Sequence, residues 1–92
     1  MVQISLNSIV QRNDKRVVFT PLDDEIIMMD VDNGNYIKLN KTACSIWELI
    51  KEPIMVSKLI SNLQNLFHVS NQICTNDTIA CLHKMKELAL LA

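Results

Sequence analysis

The chain has 92 residues, of which 49% are hydrophobic and 21% are charged, and this composition is typical of one folded globular domain. Nine Lys and Arg against ten Asp and Glu leave a formal net charge of −1, which gives no reason to expect nucleic acid or a membrane as a partner. Three cysteines cannot all pair within one chain, and neither a signal peptide nor a membrane span is recognisable, so we predict a reduced, cytoplasmic protein.

The first 40 residues predict strands separated by turns. Loose alternation over residues 4–11 and the β-branched segment 16–20 each predict a strand, and a break follows at residues 21–24. Residues 25–30 are apolar on both parities, which predicts a central strand covered on both faces. Asn33 and Gly34 both tolerate positive φ and predict a hairpin, whose return strand is residues 35–39.

The period of the apolar residues changes after Asn40, a good N-cap, and predicts helices over about 41–51, 56–67 and 72–88. Pro53 ends the first of them. On the third helix, one stripe is predicted to be buried and a neighbouring set to flank it. The stripe is Cys74, Cys81, Met85 and Leu88, with Thr78 beside it, and the flank is Thr75, Ile79, Leu82 and Lys86.

Strands followed by helices predict an α+β fold, in which a three-stranded antiparallel sheet precedes three α-helices in one domain over 1–92. Three strands need cover on at least one face, so we expect the helices to pack there. This arrangement resembles a winged helix-turn-helix.

Residues able to perform catalysis are present but do not form a recognisable motif. The three cysteines fit no zinc spacing, His83 points away from the cysteine stripe, and nothing places His68 near Cys44. The acidic residues around 23–25 and at Asp30 and Asp32 are typical of solvated strand ends. We therefore predict no catalytic residue, no metal site and no cofactor.

Binding is the better supported reading of the pattern. The strand at residues 35–39 is the last of the sheet, and such a strand is commonly an edge that can accept an extended peptide. A loop or helix covering that edge is an equally good interpretation. Ile79 and Leu82 could form the apolar wall of a groove beside it, or simply widen the buried face of the helix.

Residues 33–40 (NGNYIKLN) and 46–50 (IWELI) resemble the PqqD family. The family pattern is a Gly-containing turn, a Tyr-rich strand ending Leu-Asn, and a helix carrying Ile-Trp-Glu-Leu-Leu. The similarity extends over about residues 24–91 and ends at residues 88–91 (LALL), where the family has Leu-Gly-Leu-Leu. Ala89 thus replaces a glycine, so we expect a less sharp end to the third helix. Met55 replaces a capping Thr or Ser, so we expect a frayed start to the second.

The resemblance implies that this is a recognition element for ribosomally synthesised, post-translationally modified peptides, which binds the leader segment of a precursor. The leader would add as a strand beside the last strand of the sheet and pack against the third helix. Carried over to this chain, the predicted peptide-binding residues are Asn35, Tyr36, Ile37, Lys38 and Leu39 on the strand, and Thr75, Thr78, Ile79, Leu82 and Lys86 on the helix.

A free-standing member of this size resembles the small proteins of lasso-peptide clusters. There the module delivers the precursor to a separate cysteine peptidase of transglutaminase-like type. Two alternatives follow from the residues themselves. A winged-helix DNA-binding regulator would read DNA with the third helix, where Lys84 and Lys86 are the only cations, and a small thiol enzyme would use Cys44 or Cys74.

Overall fold

A computed structural model describes residues 4–15, 17–23 and 25–92 of the chain. The elements over these residues are, in order, β1 (Ile9–Val10), β2 (Val17–Leu22), β3 (Glu25–Asp30), β4 (Tyr36–Leu39), α1 (Lys41–Leu49), β5 (Ile54–Met55), α2 (Val56–Phe67) and α3 (Asn71–Glu87). The predicted α+β fold, an antiparallel sheet of three strands followed by three helices, is confirmed. Arg16, which was predicted to begin a strand, lies outside the described residues.

The sheet has the order β2–β3–β4, with β3 in the centre. Along β3 the buried residues Ile26, Met28 and Asp30 alternate with half-buried ones, so the helices cover one face of the strand and leave the other partly exposed. The prediction that this strand is covered on both faces was therefore wrong. The predicted break at residues 21–24 was also misplaced, because β2 continues through Pro21.

The β3–β4 hairpin is closed by a buried carboxylate. Asp30, which is 5% exposed, accepts hydrogen bonds from the main-chain N–H groups of Asp32 (3.1 Å) and Asn33 (3.4 Å) and from the Asn33 side chain (3.0 Å). The loop is residues 31–35, and Gly34 alone of the predicted Asn-Gly pair has a positive φ, 71°. Asp30 is thus not a solvated strand end. It supplies the acceptors that hold the turn in place.

The N-terminal segment forms a small second sheet with the residues before α2. Strand β1 pairs with β5 through Ile9 opposite Met55 and Val10 opposite Ile54, separately from the three-stranded sheet. The first N–H groups of α2 are satisfied by main-chain carbonyls: Val56 donates to Ser8 (2.9 Å) and Ser57 to Leu6 (3.0 Å). Met55 offers no side-chain cap, but the expected fraying does not occur because these donors are already paired.

Arg12 joins this segment to the sheet and to α1. Its guanidinium carbon lies 5.3 Å from the centre of the Phe19 ring and 5.1 Å from that of Trp47, distances typical of cation–π contacts. Its Nε lies 2.7 Å from an Asp14 carboxylate oxygen, an ion pair whose geometry is not that of a hydrogen bond. Phe19 and Trp47 meet edge to face, with ring centres 5.8 Å apart.

One continuous core lies between the sheet and the helices. Its fully buried side chains include Met28 from the sheet, Ile46 and Trp47 from α1, Leu59 and Leu63 from α2, and Leu82 and Met85 from α3. Each fully buried side chain of this size contributes roughly 1.5–3 kcal/mol through the hydrophobic effect. Over the described residues, none of the helices combines the length and the apolar character needed to cross a membrane.

Helix α3 ends in a complete Schellman motif built on an alanine. Leu90 donates to the Met85 carbonyl (2.8 Å) and Ala89 to the Lys86 carbonyl (3.0 Å), which are the two hydrogen bonds that define the motif. Ala89 has φ 59°, the left-handed conformation that glycine adopts without a steric penalty. The expectation of a less sharp end to this helix is therefore wrong, because the cap forms even though Ala89 must adopt a strained conformation.

Replacing Ala89 with glycine should therefore stabilise the protein. We expect Ala89→Gly to raise the free energy of unfolding by roughly 1 kcal/mol, since the left-handed conformation costs an alanine about that much. Urea denaturation followed by circular dichroism measures the change. The matched control is Ala80→Gly in the exposed interior of α3, which should lower stability by about 1 kcal/mol. Equal effects of the two substitutions would contradict the assignment of strain to Ala89.

Candidate peptide-binding edge and groove

Strand β4 is paired on one side only. It forms a ladder with β3, in which Met29 faces Tyr36, Met28 faces Ile37 and Ile26 faces Leu39, and the sheet order places no further strand beyond it in the described chain. An edge of this kind presents main-chain donors and acceptors that an extended peptide can pair with. The interpretation in which this strand is an edge is thus the one the fold supports.

The alternation of an antiparallel ladder identifies which groups of β4 are open. The Asp30 N–H donates to the Asn35 carbonyl (2.8 Å), so Asn35 directs its main chain toward β3. Successive residues of a strand point their N–H and C=O groups to opposite sides. Ile37 therefore also bonds toward β3, and Tyr36 and Lys38 hold their main-chain N–H and C=O groups toward the open side.

The opposite edge of the sheet carries a proline at an outward position. By the same alternation, the main-chain N–H and C=O groups of Met29 and Ile27 in β3 point toward β2. Those of Val18 and Thr20 therefore point toward β3, and the main-chain groups of Val17, Phe19 and Pro21 point outward. Pro21 has no N–H to donate at this position, and prolines of this kind are a common protection of edge strands. Of the two edges, β4 is therefore the better acceptor of a guest strand.

A groove of about 560 Å³ runs between β4 and α3. We call it the β4–α3 groove. It is lined by Ile37, Lys38, Leu39 and Asn40, by Thr42 and Ala43 from α1, by Asp77, Ala80, Cys81, Lys84, Met85 and Leu88 from α3 and its end, and by Leu90. Its floor is apolar, and its charged groups lie at the rim. Lys38 is paired with Glu25 (2.8 Å), and Lys84 lies 3.9 Å from Glu87.

The strand residues predicted from the sequence divide between the groove and the opposite face. Ile37, Lys38 and Leu39 line the groove, whereas Asn35 and Tyr36 do not. Tyr36 is 76% exposed and stands on the uncovered face of the sheet, in register with Met29 and, one strand further, with Val18. A guest strand on β4 would thus bond to the main chain of Tyr36, whose side chain points away from the groove.

The helix residues predicted from the sequence do not line the groove. Thr78 and Leu82 are buried in the core, Thr75 and Ile79 lie on the far flank of α3, and Lys86 lines a separate cavity beside β1. The buried stripe of α3 consists of Cys74, Thr78, Leu82 and Met85. Its centre is therefore rotated toward Leu82, and the flank that reaches β4 carries Asp77, Ala80, Cys81, Lys84 and Leu88.

Thr78 belongs to the buried stripe although its side chain is polar. Thr78 was predicted as a polar neighbour of the stripe, but its hydroxyl is buried 4.0 Å from the Cys74 sulfur. Counting Thr78 as a buried residue would have placed the stripe correctly, because Cys74, Thr78 and Leu82 are then spaced at i, i+4 and i+8.

The cysteines have the surroundings of structural thiols. Cys74 is buried and donates to the Ile60 carbonyl (3.7 Å), and Cys44 donates to the Leu39 carbonyl (3.3 Å). Burial raises the pKa of the Cys81 thiol above its ordinary value, which disfavours the nucleophilic thiolate. Within the described ranges, no three His, Cys, Asp or Glu side chains are grouped so that they could hold a metal ion.

Comparisons with known proteins bear on the family and on the fold of this chain. Residues 25–91 match the family model described as coenzyme PQQ synthesis protein D (PqqD). No curated protein gives a significant match. A solved structure, TbiB1 in complex with the TbiA(beta) leader peptide, has a TM-score of 0.78 and 22% sequence identity to this chain, and the match covers 88% of this chain and 93% of that one. This likeness shows that the two chains share a fold.

The burial of the Cys81 thiol can be tested by its reactivity toward an alkylating reagent. Because burial raises the pKa of this thiol, we expect its alkylation by iodoacetamide to reach half its maximal rate at a higher pH in the folded protein than in the urea-unfolded protein. Tandem mass spectrometry that separates modification of Cys81 from that of Cys74 follows the reaction across a pH series in both states of the protein. A half-maximal pH in the folded protein at or below that of the urea-unfolded protein would contradict this environment.

Proposed function

The chain belongs to the PqqD family, and from this premise we propose that it binds the leader segment of a ribosomally synthesised precursor peptide by strand addition to β4. The open main chain of Tyr36 and Lys38 is the observation that carries the proposal. The resemblance predicted from the sequence is confirmed at the level of the family.

The edge supplies affinity that does not depend on the leader's side chains. A guest strand beside β4 exchanges hydrogen bonds with the N–H and C=O groups of Tyr36 and Lys38, and each bond contributes about 0.5–1.5 kcal/mol net. Strand β4 is already held by β3 and by the Asp30 turn, so the ordering cost falls mainly on the guest.

The groove supplies selectivity. Alternate side chains of an added strand point to one face, and on this face they enter the β4–α3 groove. Its floor of Ile37, Leu39, Cys81, Met85 and Leu88 favours aliphatic or aromatic side chains, which bury apolar area there. The structure of TbiB1 in complex with a leader peptide supports a leader peptide as the ligand, since that protein has the same fold.

Binding would serve delivery to a separate enzyme. We propose as that enzyme the cysteine peptidase, of transglutaminase-like type, of a lasso-peptide pathway, which removes the leader. A tethered precursor reaches an effective concentration in the millimolar range when the connection is short and flexible. The surroundings of Cys44, Cys74 and Cys81 favour such a carrier role over chemistry by this chain itself.

A winged-helix regulator would need a basic reading helix. In α3 the exposed cation Lys84 lies near Glu87, and the same flank carries Asp77. Opposite charges at this spacing give little of the phosphate neutralisation that DNA affinity depends on. We therefore favour the leader peptide over DNA as the partner of this groove.

Removing one open N–H group tests the proposal. We expect Lys38→Pro to weaken binding of the leader at least about tenfold, because proline cannot donate to the guest strand and its ring obstructs the edge. Candidate leader peptides are taken from short open reading frames that neighbour the gene. Isothermal calorimetry with these peptides measures the affinity, which should be micromolar or tighter for the unaltered protein.

Two variants separate the edge from its side chain and from folding. Lys38→Thr also loses the pairing with Glu25 but keeps the main-chain N–H, and should bind nearly as well as the unaltered protein. Ile37→Pro removes a bond inside the sheet and should lower the urea midpoint, which Lys38→Pro should do much less. A folded Lys38→Pro protein with unchanged affinity for the leader would contradict the strand-addition proposal.

A further inference from the structure

A second, smaller cavity of about 180 Å³ lies where the start of α1, the end of α2 and the start of α3 meet. Its apolar walls come from Leu63 and Phe67 of α2, from Val69 in the connection, and from Cys74. Thr42, Asp77 and Thr78 complete its lining. Val69 is 40% exposed and forms part of the open rim, so the cavity is reached from the surface.

This cavity continues the β4–α3 groove. Thr42 and Asp77 line both spaces, so the two adjoin across these side chains. The junction lies past the end of β4, because Thr42 is in the first turn of α1, directly after that strand. A peptide that pairs with β4 and runs past Leu39 therefore passes the mouth of the small cavity after its last strand hydrogen bond.

We propose that this cavity is an anchor subsite that takes one apolar side chain of the leader, from a residue just outside the strand-paired segment. The inference rests on the proposed function, since it assumes that the leader occupies the groove. The cavity is of the size that accepts a branched aliphatic or a phenyl group, because an apolar protein cavity of about 150 Å³ binds benzene. Filling it removes apolar surface of Leu63, Phe67 and Val69 from water.

Asp77 adds a polar requirement at the entrance. Its side chain is exposed at the junction, and no ion pair of its carboxylate is found in the part of the chain that the structure describes. An ionised carboxylate accepts hydrogen bonds and cannot donate them. The leader residue next to the anchor should therefore offer a donor there, either its main-chain N–H or a basic side chain.

Selection from a displayed library of random 15-residue peptides tests the subsite without knowledge of the natural leader. Peptides enriched on the unaltered protein are synthesised and scanned with alanine by calorimetry. We expect one apolar position, outside the segment that depends on Lys38, at which alanine weakens binding about tenfold, as burial of one such side chain in a half-open cavity implies.

Two variants close the subsite from different sides. Cys74→Leu fills the cavity from its wall, and Val69→Asp places a charge at its exposed rim, where folding should tolerate it. With either variant, the dissociation constants of the parent peptide and of its alanine version should agree within about twofold, because the apolar side chain can no longer enter the cavity. Leu66→Ala is the matched control, because Leu66 is exposed nearby and lines neither cavity.

The outcomes distinguish the subsite from the proposed function. If the alanine effect persists at full size in both Val69→Asp and Cys74→Leu, or if no apolar position outside the paired segment matters, the anchor proposal is overturned. Sensitivity to Lys38→Pro would leave strand addition intact in that case. If the library yields no binder, or binders indifferent to Lys38→Pro, the proposed function itself is contradicted, and the subsite with it.

Discussion

An antiparallel ladder directs the main-chain groups of each strand alternately inward and outward, and the binding surface of this protein depends on that alternation. Once Asp30 and Asn35 bond across the hairpin, the orientation of every residue of β4 follows. The main-chain N–H and C=O groups of Tyr36 and Lys38 must point away from β3, and those of Ile37 and Leu39 must bond to it. The same rule puts the missing N–H of Pro21 on the outward side of the opposite edge.

The binding surface consists of regular elements rather than loops, and its supports reach through the whole molecule. Asp30 fixes the turn before β4, and Asn40 caps α1 directly after it with a 2.9 Å bond from the Ala43 N–H. Arg12 holds α1 against the sheet through Trp47 and Phe19. A guest peptide thus meets a surface whose conformational entropy has already been lost, which favours binding of a flexible partner.

Local patterns in the sequence predicted the order of the elements well, because Asn40, Pro53 and Gly34 act within a few residues of themselves. The helices over 41–51, 56–67 and 72–88 differ from α1, α2 and α3 by at most two residues at their ends. What the sequence could not reveal depends on distant contacts. The pairing of β1 with β5 and the burial of Asp30 belong to this class.

The groove shows the same division. The strand that forms its edge could be predicted from the hairpin and from the family resemblance, whereas the face of α3 that lines it could not. A rotation of the helix by a fraction of a turn exchanges Leu82 for Cys81 at the surface, and the stripe that is buried against the core includes Thr78 beside Leu82 and Met85. Helical periodicity states how wide a buried stripe is, but its centre is uncertain when threonine and cysteine belong to it.

The proline on β2 also bears on how copies of this protein can meet one another. Two copies that joined through β4 would form one continuous sheet of six strands, and the outer edges of that sheet would both be β2 strands, in which Pro21 offers no outward N–H. The missing N–H at Pro21 opposes the addition of a further strand at either outer edge, so growth beyond a pair is disfavoured. The β4 edge can therefore stay available to a peptide with less tendency to propagating association than a sheet with two equally open edges would have.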